Sequence, residues 1–469
     1  MPLDRMLTPG KLVRSLQHML GLDRAVLYTV LARAVTILGS TGTVLLIVHF
    51  LSPVEQGYYY ALYSLIALQA IFELGFSFVI QQLAAHESVH LALAPDGGVT
   101  GSAVAHDRLA SIFQLMVRWY GRAAVCMVLI LPLSGWLFFS HRQSGPYHVA
   151  WQLPWSLAAI ACASTFLLSP FYSFIDGCGQ VREVAAMRLR EGTAALLMAW
   201  GSMITHHGLY APAMVILGQA AVGSHFIWQR RRLLQELYRH PSRQHAVSWR
   251  DEILPFQWRI AVSWLCAYFT AQAFIPLLFK LRGPVEAGQM GMSLSITVYM
   301  SFLLLPWIST KATPFGKLIA QRDFVSLDRL FFHSFRLSLA LLALLALVAL
   351  AGIVTIQYVF PRLASRLVSP TVFAILLLTM LSSYVVQSLA IYLRSFKHEP
   401  FLGLYVTTAL LSVSMVLLTA KHWGNMGVAV GYFLSTGVIG LTLAVFVFLK
   451  HRRRIASQVF SMLQVEPVQ

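Results

Sequence analysis

Long uncharged apolar runs alternate with short charged segments along most of this chain. A helix needs about 20 apolar residues to cross the hydrocarbon of a bilayer. The pattern predicts about twelve spans, at 25–50, 57–80, 120–140, 152–175, 185–205, 209–229, 257–279, 286–308, 335–358, 371–393, 401–420 and 425–449. Lipid offers no partner for backbone N–H and C=O groups, so each run is expected to be a helix that satisfies its own backbone. The expected fold class is an all-α polytopic membrane protein. Prolines within spans (Pro132, Pro170, Pro212, Pro276 and Pro306) predict kinks. Ahead of the first span, Leu12, Leu16, Met19 and Leu20 alternate with Lys11, Arg14 and Gln17 in the manner of a short helix lying on the membrane surface. No cleavable signal peptide is expected, because residues 1–24 are too charged and lack a small-residue cleavage site.

Composition supports this reading. Of 469 residues, 57% are hydrophobic and only 11% charged, too few polar groups to cover a soluble surface. The net charge of +17 would suggest nucleic acid in a soluble chain, but here the basic residues sit between apolar runs. With the N-terminus placed in the cytoplasm, 26 of the 35 basic residues fall inside, 6 outside and 3 (Arg33, Arg122 and Arg259) within spans. That bias predicts both termini in the cytoplasm and no nucleic-acid partner. The four cysteines show no metal-ligand spacing, and no disulfide is expected.

The basic stretch 230–256, opened by Arg230-Arg231-Arg232, divides the spans into six and six. The expected organisation is an N-terminal cytoplasmic or interfacial segment 1–24, an N-lobe 25–229, a basic linker 230–256, a C-lobe 257–449 and a basic tail 450–469. The halves carry a repeated sequence. Pro53-Val54-Glu55-Gln56-Gly57 precedes the second span and Pro284-Val285-Glu286-Ala287-Gly288 the eighth, at an offset of 231. Pro fixes the turn, and Gly lets the next helix start closely packed. Six spans per half preserve orientation, so the repeat is expected to be parallel, about an axis along the membrane normal.

Three segments resemble a known family. They are Phe50-Leu51-Ser52-Pro53-Val54-Glu55-Gln56-Gly57 with Glu73-Leu74-Gly75-Phe76, then Asp176-Gly177-Cys178-Gly179-Gln180-Val181-Arg182, then Tyr392-Leu393-Arg394-Ser395-Phe396-Lys397. They resemble Wzx-type polysaccharide flippases, of the superfamily that also holds multidrug-and-toxin exporters and the lipid II flippase. The resemblance implies a V-shaped pair of lobes around a central cavity, and alternating access. It implies a polyprenyl-diphosphate-linked oligosaccharide as cargo and a bacterial inner-membrane location. Membrane lipids, a polysaccharide polymerase and chain-length machinery are the other expected partners.

Charges inside the membrane are costly, so each needs a reason. Arg33 lies eight residues into the first span, about 12 Å deep. Glu73 lies at a similar depth in the second. Two readings stand: an Arg33–Glu73 ion pair that ties two helices, or an Arg33 that binds diphosphate through its planar fork while Glu73 orients it or titrates. Arg122 and Arg259 lie near the cytoplasmic ends of their spans, where they either snorkel to the interface or form a basic mouth for an anionic headgroup. Asp176 and Glu191 flank an inside turn near Arg182, Arg188 and Arg190, as a solvated cluster or a coupling site. Trp and Tyr at span ends, such as Tyr58, Trp151, Trp155 and Trp258, read as an interfacial belt.

His86-Glu87-Ser88-Val89-His90 matches the zinc-peptidase pattern H-E-x-x-H, which needs both His on one helix face and a third ligand. No third ligand is identifiable, so no metal site is expected. No P-loop, dinucleotide fingerprint or nucleophile elbow is present, so the chain is expected to be neither an enzyme nor a cofactor binder. A cation or drug exporter, whose cavity should be acidic, remains open. So does a polymerase or a non-transporting component of an exopolysaccharide system.

Overall fold

The computed structural model describes residues 24–93, 98–140, 149–240, 246–396 and 401–463. The surface helix expected around Leu12–Leu20 lies outside them. The protein is an all-α polytopic membrane protein. In chain order its helices include α1 (Arg24–Phe50), α2 (Pro53–Ile66), α3 (Gln69–Glu73), α4 (Phe76–Ser88), α5 (Ala103–Ser140), α6 (Gln152–Gly177), α7 (Val181–Ile204), α8 (Ala211–Gln229), α9 (Arg231–Arg239), α10 (Leu254–Ala271), α11 (Phe274–Arg282), α12 (Pro284–Leu304), α13 (Phe324–Val359), α14 (Pro370–Arg394), α15 (Leu402–Tyr432) and α16 (Leu441–Leu463), with shorter helical turns between them such as Pro306–Ser309. A short hairpin pairs β1 (Leu91–Leu93) with β2 (Val99–Gly101).

Among the described residues, nine stretches are long and apolar enough to cross a membrane, or ten when the bent pair Pro53–Glu73 and Phe76–Ser88 counts as one. Two features reconcile this with the twelve spans expected. The stretch Leu402–Arg453 leaves helical geometry at Gly424 (φ 52°, ψ −130°), between the predicted eleventh and twelfth spans. Helix α7 is long enough but carries five charges in its first half. The proline expectation is corrected in part. Pro132 and Pro170 lie inside α5 and α6, whereas Pro212 and Pro306 open helices and Pro276 sits in the first turn of α11. The first turn tolerates Pro because its N–H groups have no intrahelical acceptor to lose.

Contacts divide the chain into two compact units, Met1–Ser52 with Leu65–Ala261, and Pro53–Ser64 with Val262–Gln469. In the first unit α1 and α7 run side by side in parallel. Gly39 backs onto the Leu196 side chain, and the Trp200 indole donates to the Thr43 hydroxyl at 2.9 Å. Small residues at such crossings let helix backbones approach.

Helix α5 has 38 residues, so it is about 57 Å long. It outreaches the roughly 30 Å of hydrocarbon and projects from the membrane. Its projecting end holds the basic connection that follows α8. The Gln114 amide donates to the carbonyls of Leu237, Tyr238 and His240, at 3.3, 3.2 and 2.8 Å. The Val247 amide donates to Ser111 at 2.9 Å, and His240 meets Asp107 at 2.7 Å. The stretch expected as a linker is thus docked on the first unit.

The H-E-x-x-H segment is built for a different purpose. Helix α4 ends at Ser88 and the chain turns into the hairpin, so His86 and His90 do not share a helical face. The His86 side chain is 80% exposed. Buried Glu87 accepts from Arg108 Nε at 2.8 Å, while Arg108 NH2 reaches Glu252 at 2.6 Å. Arg108 beside it holds the Glu252 carboxyl below its usual range. Arg108→Met is expected to lower stability by about 1–3 kcal/mol, because it strands the buried Glu87 carboxylate. Glu252→Gln, at an exposed group, should change the thermal midpoint little. Thermal unfolding of the two purified variants checks the contrast.

In the second unit the repeated sequences meet. Pro53 opens α2 and Pro284 opens α12. A Cβ on Gly57 would stand 2.0 Å from the Pro284 carbonyl oxygen, and one on Gly288 would stand 2.8 Å from the Gly57 nitrogen. The buried Gln56 amide ties the crossing, donating to the carbonyls of Gly288 at 2.9 Å and Arg366 at 3.0 Å. Farther along, Phe331, Tyr392 and Phe448 form an aromatic core, with ring centroids 4.7 Å apart for Phe331–Tyr392 and 5.4 Å for Tyr392–Phe448. The Tyr392 hydroxyl donates to Asp328 at 2.8 Å, and Asp328 also pairs with Arg452.

Candidate functional site

The second predicted span is not one helix. It breaks between α3 and α4, which meet at 45°. Leu74 (φ 48°) and Gly75 (φ 68°) both adopt left-handed backbone. Glycine takes that conformation freely, but leucine does so only at a cost of order 1 kcal/mol or more. The break frees backbone groups at membrane depth, where they need partners within the protein. The buried Gln257 side chain of α10 supplies one, donating to the Leu74 carbonyl at 2.8 Å.

Glu73 ends α3 immediately before this break. Its carboxylate accepts a hydrogen bond from Ser77 and feels the charge of Arg188 on α7. Ser77 also meets the Tyr120 hydroxyl at 2.9 Å. Asp176, at the end of α6, accepts from the Gln81 amide at 2.8 Å and likewise faces Arg188. Glu191 lies one helical turn beyond Arg188, and Tyr172 lies near both. Gly177 allows the end of α6 to sit against α4, since a Cβ there would come 2.5 Å from the Gln81 carbonyl oxygen. Arg188, exposed on α7, is the one positive charge that all three carboxylates feel, and it forms an ion pair with none of them among the described residues. Excess negative charge within the membrane requires a counter-charge, either a bound cation or a proton. Among the described residues no group of three or more His, Cys, Asp or Glu side chains is arranged to hold a metal ion.

The expected Arg33–Glu73 ion pair is corrected. Glu73 has no ion pair among the described residues and feels the charge of Arg188, and Arg33 is exposed on α1 with no ionic partner among them. The physical reason is the face of α1 that carries Arg33, which is exposed, and not its depth. Thr43 and Trp200 pair 157 residues apart, which, carried down the parallel helices, sets Arg33 level with Arg190, between Arg188 and Glu191. Arg33 stands at about the height of the cluster. Arg122 is exposed and lines a cavity of about 500 Å³ with Arg118, Trp119 and Trp249. Arg259 falls on α10, and its side chain is outside the described residues. Asp176 and Glu191 both feel the charge of Arg188, without an ion pair to it among the described residues. In the sequence Arg188 reads only as one of three basic residues near an inside turn. The signal missed was the Arg188–Glu191 spacing of three, which puts both on one face of a helix that begins as early as Val181.

No protein-family model matches the chain, and no curated protein matches its sequence. Solved structures do. A multidrug resistance MATE family transporter of the MOP superfamily, in an outward-facing conformation, aligns over 92% of this chain and 95% of its own, with TM-score 0.58 and 13% identity. The lipid II flippase MurJ, in an inward closed conformation, aligns over 95% of this chain and 93% of its own, with TM-score 0.57 and 11% identity. A MOP superfamily transporter from Pyrococcus furiosus, described by the reversed polarity of its binding pocket, aligns over 92% and 95%, with TM-score 0.54 and 13% identity. Over nearly its whole length, the chain has the fold shared by these MOP superfamily transporters.

Proposed function

We propose that this protein is a flippase that moves a polyprenyl-diphosphate-linked oligosaccharide from the cytoplasmic to the outer leaflet by alternating access, in the service of cell-surface polysaccharide synthesis. The observation that carries the reading is Arg33: exposed, without an ionic partner among the described residues, and at membrane depth on α1. A lone guanidinium there is costly unless an anion visits it, and its fork matches a diphosphate. Arg259 is assigned the same role from its place on α10. The likeness to a lipid II flippase is compatible with a lipid-linked cargo, and the local resemblance of residues 50–57 and 73–76 to Wzx-type flippases favours a polysaccharide precursor.

In this reading the Glu73–Arg188–Asp176–Glu191 cluster takes up and releases a proton as the helix break at Leu74 flexes, coupling the gradient to transport. The crossing of Gly57 with Pro284 is a closure that parts once per cycle. No ATP is consumed. The test is flipping of a fluorescent polyprenyl-diphosphate disaccharide in proteoliposomes. Arg33→Ala protein that inserts and melts like wild type is expected to lose at least about 90% of the rate. An unchanged rate would sink the role of Arg33.

A further inference from the structure

The cavity on the projecting end of α5 is a site that the transport reading does not use. Ser111, Gln114, Arg118, Trp119 and Arg122 follow one helical stripe, and Trp249 closes the cavity from the basic connection. Its volume is about 500 Å³. The wall is fixed. The Trp119 and Trp249 indoles stack at 5.0 Å with an interplanar angle of 22°, and buried Phe76 abuts Trp249 at 5.1 Å.

The polar groups of the cavity leave donors in excess. Ser111 is taken by the Val247 amide, and the Gln114 amide by three carbonyls. The neighbouring acids are also engaged: Glu252 holds Arg108 and the Ser248 amide, and Asp251 accepts from the Ser248 hydroxyl. Arg118 and Arg122, one turn apart and both exposed, have no ionic partner among the described residues. Two free guanidinium forks beside an aromatic wall call for a phosphate.

The stripe also says what carries that phosphate. Beyond Arg122 it continues along α5 as Val125, Leu129, Leu133 and Trp136, which are 63, 69, 55 and 57% exposed. Apolar side chains exposed at membrane depth face hydrocarbon. A soluble nucleotide would use the cavity but not the stripe, whereas a lipid would use both. The basic-residue count assigns this end of α5 to the cytoplasmic side, where anionic headgroups attract basic pockets.

We propose that the Arg118–Arg122–Trp119–Trp249 cavity is a binding site for the phosphate headgroup of an anionic membrane phospholipid, whose acyl chain lies along the Val125–Trp136 stripe. The bound lipid bridges α5 and the connection docked on it. This site is additional to the flippase reading and does not rest on it, because binding is measured without transport.

Native mass spectrometry of the full-length protein in neutral detergent tests it, with dioleoyl phosphatidylglycerol against phosphatidylcholine of the same chains. Wild type is expected to retain phosphatidylglycerol at least about tenfold better. R118Q/R122Q is expected to fall to the phosphatidylcholine level while its melting curve is unchanged. Should the double variant fail to fold, R118Q and R122Q alone are each expected to weaken phosphatidylglycerol several-fold. Equal retention of phosphatidylglycerol by wild type and variants would overturn the proposal. Two further probes separate the sources of phosphate. Preferential binding of farnesyl diphosphate at equal concentration, lost in R118Q/R122Q, would assign the site to the transported lipid and overturn the assignment to bulk phospholipid. Quenching of tryptophan fluorescence by ADP, lost in the same variant, would assign it to a nucleotide and overturn it as well.

Discussion

Gly57→Val is expected to abolish flipping and to lower the thermal midpoint of the purified protein by several degrees. The added Cβ would enter a space of 2.0 Å against a backbone carbonyl, that of Pro284, which has no rotamer by which to yield. Overpacking against side chains typically costs about 1–3 kcal/mol, and a backbone obstacle belongs at the upper end of that range. The clash would also pull Gln56 from the carbonyls of Gly288 and Arg366, leaving a buried amide unsatisfied. Gly288→Ala meets the Gly57 nitrogen at 2.8 Å and is expected to act in the same direction, more weakly. Gly403→Ala is the control: no atom lies within 4 Å of its Cβ position, so flipping and midpoint should hold. Equal behaviour of Gly57→Val and Gly403→Ala would show that the crossing is not a working contact.

Arg188→Gln is expected to reduce transport at least about tenfold, because it removes the one positive charge that Glu73, Asp176 and Glu191 all feel. Arg188→Lys keeps the charge while losing the fork, and should fall between that variant and wild type. The decisive readout is non-additivity. Glu73→Gln removes one negative charge from the cluster, so combined with Arg188→Gln it should recover part of the loss, with a coupling of about 0.5–3 kcal/mol. Glu73→Gln alone is expected to flatten the pH profile of transport while leaving assembly intact. Strict additivity of the two losses would mean that the residues do not act as one group.

Most of the fold was legible in the sequence because lipid forces a simple rule, that apolar runs of sufficient length become helices. Helices α6 and α14 begin and end within two residues of the expected spans. The Pro-Val-Glu-x-Gly repeat was legible too, as a Pro that opens a helix and a Gly that lets it pack closely. The partner of each copy was not, because periodicity within a segment does not say which distant segment it meets. The helix break at Leu74-Gly75 was hidden inside a run apolar enough to read as continuous. The projecting half of α5 was hidden because its residues 103–119 are too mixed in polarity to read as a span, yet tertiary packing keeps them helical. The Arg33–Glu73 pairing failed for a related reason. Depth along a helix is readable from residue count, but azimuth depends on neighbours, and Arg33 stands on an exposed face of α1.

The central claim is that the cargo is an anionic lipid, and selectivity tests it most directly. In the same proteoliposomes, under an imposed proton gradient, flipping of a fluorescent polyprenyl-diphosphate disaccharide is measured beside export of a cationic dye. The account predicts gradient-dependent movement of the diphosphate-linked lipid and none of the dye. Export of the dye with no movement of the lipid would contradict it.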